Sequence, residues 1–405
     1  MNKKFILLWA GEFVSAIGSG LTSFGLGVYV FERTKSAGAM ALVTLLAFLP
    51  SVILGIPAGV LADRYDRHLL MMLGDGCSAI GLFYILICVC NGNAKLWQIC
   101  IGVTISSIFS AFLDPAYRAT ISDIVSPEDY TKASGMVNIA GSSRYIIAPF
   151  LAGLILSVWD IRVILIFDIC TFVLTVITIC YVRKSIEKST KSEASALEQL
   201  KEGFMILKEK KGITVLAIYT AAISLFMGFI QVLSEPMILS YTNSKTLGIC
   251  ETFCAMGMLV SSIFIGIKAI KKNHVKILGI SLFTCGIMMV FFGLTESIAF
   301  TMASGFVFFL MLPYANTVLD YLLRTNVESK SQGRVWGIVG VISQLGSIIS
   351  YACCGVIADL VGKTFDVGVG RGAGYSIVAA GVIMALIALC LFLMKSVKAL
   401  EHVNQ

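Results

Sequence analysis

Apolar residues run along this chain in long blocks separated by short polar breaks. Twelve such blocks cover about residues 5–31, 38–61, 69–90, 96–117, 133–157, 162–182, 214–240, 247–269, 276–294, 298–322, 335–361 and 373–394. Each is long enough to cross about 30 Å of hydrocarbon at 1.5 Å per helical residue. The pattern predicts an all-α membrane protein of twelve spans, numbered here in chain order. The first block follows Lys3 and Lys4 but outruns the apolar core of a cleaved signal peptide, about 7–15 residues, so it is read as an uncleaved span.

Composition agrees with the pattern. Hydrophobic residues make up 57% of the chain and charged residues 14%, against roughly 25% charge in soluble domains, and the mean hydropathy is +0.89. Of the 31 lysines and arginines, 23 fall on the side that carries both termini and 7 on the other, with Arg144 alone inside a span. That asymmetry predicts a plasma (inner) membrane protein with both termini cytoplasmic. The net charge of +7 then reflects topology and calls for no nucleic acid. The twelve cysteines lie in or beside spans, without a Cys-x-x-Cys or a neighbouring histidine. They read as small buried hydrophobes, with no metal, cofactor or disulfide framework expected.

The longest polar segment divides the spans six and six. This predicts an N-terminal bundle over 1–182, a cytoplasmic linker over 183–213, and a C-terminal bundle with a short tail over 214–405. Within the linker, Leu197, Leu200, Phe204 and Leu207 recur at three- and four-residue spacing. That is the signature of an amphipathic helix lying on the lipid surface or packed under the bundles. Two six-helix halves suggest a duplicated transporter with its pathway between them.

One stretch breaks the apolar monotony: "GVLADRYDRH", residues 59–68. It resembles the cytoplasmic signature of the major facilitator superfamily, in which a glycine and three residues precede Asp-Arg-x-Gly-Arg-Arg/Lys. Gly59, Asp63, Arg64 and Arg67 match, while Asp66 stands for the usual glycine and His68 for the second base. Gly59 would permit close helix approach, Asp63 would face the positive end of span 11 near Gly333-Arg334, and Arg67 would pair with Asp123. Such a cluster would latch the halves in one state and release in the other; a plain positive-inside anchor is the alternative. "GVIAD" at 355–359 repeats the opening. It closes span 11 on the opposite side, where it cannot serve that latch.

Two further segments are similar to the macrolide-efflux branch of drug–proton antiporters in that superfamily: "DPAYRATISDIVSPEDYTKASGMV" (114–137) and "QGRVWGIVGVISQLGSIISYACCGVIAD" (332–359). The resemblance covers essentially the whole chain. It implies two six-helix bundles, alternating access, and export of amphipathic small molecules against protons. The chain departs from the antiporter pattern in span 5, where Ala148-Pro149 and Ala152-Gly153 replace Gly-Pro and Gly-Gly and Arg144 replaces a glycine. The arginine many such exporters carry in span 4 is absent, with Ser106 or Ser107 near its place.

A charge at mid-bilayer costs about 2.5–3.5 kcal/mol or more, so ionisable residues within spans are functional candidates. Glu12 lies roughly 10 Å and Arg144 roughly 16 Å from the cytoplasmic ends of spans 1 and 5. Glu12, Ser15, Ser19 and Thr22 form a polar stripe beside a close-packing face of Gly11, Gly18 and Gly25. A Glu12–Arg144 pair broken by protonation would couple protons to transport; a structural pair is the alternative. Glu235 shares a face of span 7 with Ser224, Gly228 and Gln231, as a proton acceptor, a site for a cationic substrate, or an interfacial carboxylate. Asp320 and Arg324 are expected to pair locally, and Asp75 and Asp168 read as structural.

Phe24, Phe109, Phe112, Phe226, Phe229, Gln231, Tyr314 and Asn316 are candidates for lining an apolar substrate cavity. Gly362-Lys363-Thr364 mimics the end of a nucleotide-binding loop, but Ile357 stands where the loop needs glycine, so no ATP is expected. The glycine-rich "GVGRGAG" at 368–374 follows no strand and reads as a flexible loop. No His-Glu-x-x-His or Gly-x-Ser-x-Gly occurs and no span holds a histidine, which weighs against a membrane enzyme. The expected partners are an amphipathic small molecule, protons and lipids, the expected unit a monomer. Export or flipping of one natural product, such as a siderophore, lysolipid or peptide, is the alternative reading.

Overall fold

The computed structural model describes residues 3–92, 94–183, 210–268, 272–328 and 331–394, and in addition 204, 205, 207, 208, 270, 397 and 399–401. Among these, twelve helices are long and apolar enough to span a membrane. They are Lys3–Thr34, Ala37–Arg64, Arg67–Cys90, a fourth span, Tyr130–Val158, Ile161–Arg183, Lys211–Leu239, Ser244–Ile267, His274–Leu294, Ile298–Asn326, Gln332–Thr364 and Gly368–Leu393. The fourth is broken into Leu96–Ser110 and Leu113–Ile124. The break falls just before Asp114-Pro115, whose ring and missing N–H disfavour an uninterrupted ladder. Prolines 50, 57, 149, 236 and 313 lie inside helices, as membrane helices tolerate when neighbours re-satisfy the freed carbonyls.

The chain folds into two compact units. The first holds Met1–Thr34, Leu42–Glu193 and Asn243–Ile249, the second Lys35–Ala41, Ala194–Thr242 and Cys250–Gln405. The starts of spans 2 and 8 are thus grouped apart from the rest of their helices. Within the first unit span 1 packs on spans 5 and 6, and span 3 on spans 4 and 6. Within the second, span 7 packs on 11 and 12, and span 9 on 10 and 12. The neighbour pattern repeats with an offset of six spans, the internal duplication expected of such transporters.

Small residues set these crossings, as lipid offers no hydrophobic drive for helices to associate. Span 1 presents Gly11 to Thr178, Gly18 to Asp168 and Thr171, and Gly25 to Ile161 and Ile164, all on span 6. The glycine-rich start of span 12 corrects the expectation of a flexible loop: from Gly368 onward it is helix. Gly372 sits against Ala358 and Gly362 of span 11, and Gly374 against Gly293 of span 9. Those glycines serve close packing rather than chain freedom.

Of the expected linker helix, Leu197 and Leu200 lie outside the described residues. Leu207 is buried and Phe204 is exposed. All twelve cysteines are free thiols.

Candidate functional site

The signature segment places its charges at the junction of spans 2 and 3. Arg67 reaches Asp123 Oδ2 with Nη1 at 2.5 Å, as expected. It also donates to the carbonyls of Ala119 at 3.1 Å and Ala62 at 3.2 Å. One guanidinium thereby ties the end of span 2 to the end of span 4, using the fork geometry lysine lacks. Asp66, which replaces the signature's glycine, caps span 3 by accepting from the amides of His68 at 3.0 Å and Leu69 at 3.4 Å. The departure therefore has a local reason: an acid at a helix start satisfies orphan N–H groups.

Arg64 is exposed, and the side chain of Asp63 lies outside what the structure describes. Gly59 differs from expectation. A methyl group there would meet nothing within 4 Å, so no described neighbour uses its small size here.

The first unit gathers its ionisable groups around span 1. Glu12 Oε2 is buried without a hydrogen-bond partner. Asp75 on span 3 is 1% exposed with its Oδ2 likewise unpartnered. Asp168 on span 6 is 1% exposed; its Oδ1 accepts from Thr171 Oγ1 at 3.3 Å. Gly18 makes the room, since a methyl there would lie 2.6 Å from that same oxygen. The buried hydroxyl of Tyr117 completes the set without a partner.

Arg144 is exposed on span 5, its backbone wedged against Gly20. Its charge acts on both Glu12 and Asp168, but the direct Glu12–Arg144 ion pair expected from the sequence is not made. The sequence reading takes Asp75 and Asp168 as structural, and the structure places both carboxylates in this buried set.

The second unit arranges its acids differently. On span 7, Ser224 Oγ lies 2.5 Å from Ser343 Oγ of span 11. A methyl on Gly228 would meet Ser350 Oγ at 2.5 Å, and Gln231 Oε1 accepts from Tyr351 Oη at 2.8 Å. That polar stripe is a seam against span 11. Glu235, one turn further, turns elsewhere: its Oε2 is buried without a partner, and the charge of Glu251 on span 8 acts on it. Ser234 Oγ donates to Glu251 Oε1 at 3.4 Å. Glu251 escaped the sequence reading, although an acid that far into an apolar window meets the criterion that selected Glu235. Asp320 and Arg324 pair at 2.7 Å, as expected.

The aromatic candidates separate by burial. Phe24, Phe226 and Phe229 are 4%, 5% and 9% exposed and fill the units' interiors rather than line an open space. Phe109, Phe112 and Tyr314 stay partly accessible and Asn316 is exposed. The cavity beside Phe226, walled by Tyr219, Ile223, Leu282 and Met384, holds about 10 Å³, room for no more than a water and dry by its lining. Among the described residues no group of three metal-ligating side chains comes together.

Comparison with known proteins places this geometry. The chain is 28% identical over 372 residues to Macrolide efflux protein A of Streptococcus pyogenes, covering 89% of this chain and 90% of that protein. It is 23% identical to the Staphyloferrin A transporter of Staphylococcus aureus over 91% of this chain and 92% of the other. Among solved structures, the nucleoside transporter NupG superposes with a TM-score of 0.73 at 14% identity, covering 97% of this chain and 100% of that one. A bacterial homologue of the human lysosomal transporter Spinster does so at 0.74 and 14%, covering 99% and 98%; at such identities the likeness is one of fold. The Major Facilitator Superfamily model matches residues 8–351, and with twelve spans in a six-offset repeat the chain belongs to that superfamily of transporters.

Proposed function

We propose that this transporter exports amphipathic, macrolide-like small molecules by alternating access in exchange for protons, with both termini cytoplasmic. The observation that carries the proton part is the pair of buried, unpartnered carboxylate oxygens on Glu12 and Asp75. An unpaired charge in a membrane interior is costly, and taking up a proton removes that cost. Sites of this kind bind protons in one state and release them when the surroundings change. Arg144 is the counter-charge whose field Glu12 feels; its approach or withdrawal would set proton release. The export direction and substrate class rest on the similarity to Macrolide efflux protein A, and the orientation rests on the basic-residue asymmetry. The accessible aromatics Phe109, Phe112 and Tyr314 are the residues proposed to meet substrate.

The test is reconstitution in liposomes enclosing a pH dye, with macrolides, lipophilic cations and a siderophore added singly. Proton movement driven by macrolides and cations, and lost in Glu12→Gln, is the expected result. Substrate movement with no proton flux overturns the exchange and leaves export. Response to the siderophore alone overturns the substrate class in favour of a dedicated natural-product exporter.

A further inference from the structure

The repeat "GVIAD" at 355–359 has a partner in the structure. Asp359 Oδ1 accepts from the backbone N–H of Ala37 at 2.8 Å, and Oδ2 from that of Gly38 at 2.9 Å. Ser36 Oγ donates to Oδ2 at 2.6 Å and accepts from the Ala39 amide at 3.1 Å. These groups are the start of span 2, and Lys35–Ala41 is grouped with the second unit, to which Asp359 belongs.

A buried helix start needs partners for its orphan N–H groups, and Ala37 is fully buried. Three of them are satisfied here, two by a carboxylate that also faces the positive end of the helix dipole. Gly355, four residues earlier and so on the same helical face, packs directly on the Ala37 carbonyl and the Ala41 methyl. In this Gly-x-x-x-Asp pattern the glycine clears the approach and the aspartate caps the helix that approaches. The matching glycine at the other end of span 2, Gly59, has open space around it.

We infer that Asp359 and Gly355 form a second latch, on the outer face of the membrane in the proposed orientation, which holds the first turn of span 2 against span 11 and must release for that face to open. The inference rests on the alternating-access reading. It assigns a role to a segment that the cytoplasmic signature leaves unused. Other charges lie close in sequence to the latch, at the ends of spans 1 and 11 and between spans 1 and 2. Arg33 and Lys35 precede Ser36, and Lys363 follows Asp359 by one turn.

Hydrogen–deuterium exchange on the purified full chain tests it, comparing wild type with Asp359→Asn, Asp359→Ala and Ser36→Ala. Amides 37–41 are expected to exchange at least about tenfold faster in Asp359→Ala, the effect of losing two charge-assisted hydrogen bonds. Asp359→Asn and Ser36→Ala should move them in the same direction by smaller factors. The distinguishing readout lies on the opposite face: segments 62–68 and 332–336 should exchange more slowly as the population shifts toward the form closed there. Faster exchange confined to 37–41, with the opposite face unchanged, makes Asp359 a local cap and overturns the inference. Unchanged exchange at 37–41 overturns it as well. Should the alanine variant not fold, Ser36→Ala, which leaves both backbone bonds in place, decides by the same two readouts. Because exchange needs no substrate, a wild-type protein that moves no macrolide would refute the proposed function and leave this result standing.

Discussion

The two units bury acids in opposite settings. In the first, Glu12, Asp75 and Asp168 come from spans 1, 3 and 6, and the field of Arg144 reaches Glu12 and Asp168. In the second, Glu235 and Glu251 come from adjoining spans 7 and 8, with Ser234 as the polar neighbour of Glu251. The cations in the apolar windows of that half, Lys268 and Lys276, stand at window ends. Burial penalises charge in both units, and in the first, among the described residues, the charge of Arg144 acts on two of the acids to offset it. A set of acids with a mobile counter-charge can exchange its proton as the cation moves. Two acids that feel one another's charge instead repel when both are ionised, which favours one of them holding a proton. In the proposed exchange, the first unit would hold the coupling groups and the second a proton reservoir or a site for a cationic substrate.

The largest expected effect falls on the first unit. Glu12→Gln should cut substrate-driven proton flux by about tenfold or more, equivalent to about 1.4 kcal/mol, with the thermal midpoint little changed. Adding Arg144→Gln should not restore flux, since charge balance is not what was lost. Glu235→Gln in the same assay should lower flux by a smaller factor. If Glu235→Gln abolished flux while Glu12→Gln spared it, the assignment of the two units would be reversed.

Packing gives the next largest. Gly18→Ala would place a methyl 2.6 Å from both Asp168 Oδ1 and Thr171 Oγ1. Overpacking of this kind costs about 1–3 kcal/mol, read as a lowered thermal midpoint. Gly59→Ala meets nothing within 4 Å and should be neutral or gain about 0.5–1 kcal/mol of helix propensity. Equal effects at the two glycines would remove the claim that Gly18 exists to admit the Asp168 carboxylate.

Neutral substitutions should then differ in sign between the units. Asp168→Asn weakens the acceptor for Thr171, at a cost of about 1–2 kcal/mol. Glu251→Gln removes the need for two neighbouring acids to hold a proton and should stabilise by up to about 1 kcal/mol. Differential scanning on the purified variants reads both. Destabilisation by both substitutions would mean that the protonated pair makes a hydrogen bond the amide cannot replace.

The spans were legible because lipid imposes length and apolarity on every crossing. The Arg67–Asp123 pair was legible too, since a recognisable motif fixed one partner and the topology fixed the other. Asp359 was not, because its partners lie 321 to 323 positions away and a backbone N–H leaves no mark in a sequence. The glycines after 368 misled for a related reason. Glycine serves freedom in a loop and closeness in a membrane helix, and only the neighbour, here Ala358 or Gly293, tells which. Glu12 and Arg144 were identified singly, but whether two side chains on spans 1 and 5 meet depends on helix rotation, which periodicity leaves open.

The smallest predicted effect separates the surface cluster from both buried sets. Arg67 binds Asp123 and two carbonyls in three directions, and its side chain is only 16% exposed, against 28% for Asp123. Arg67→Lys keeps the charge but serves one direction at a time, so it should cost about 0.5–1 kcal/mol. Arg67→Ala should cost more, through the two carbonyls left without a donor. In a double-mutant cycle with Asp123→Asn, the coupling should stay near or below about 1 kcal/mol and shrink with added salt, because water reaches both partners. Salt should leave the effects of Glu12→Gln and Glu251→Gln unmoved, since no ions reach those groups. A salt-insensitive coupling at Arg67 would mean that this cluster, like the acids, is shielded from solvent, and the division between a wet charged cluster and dry buried acids would have to be redrawn.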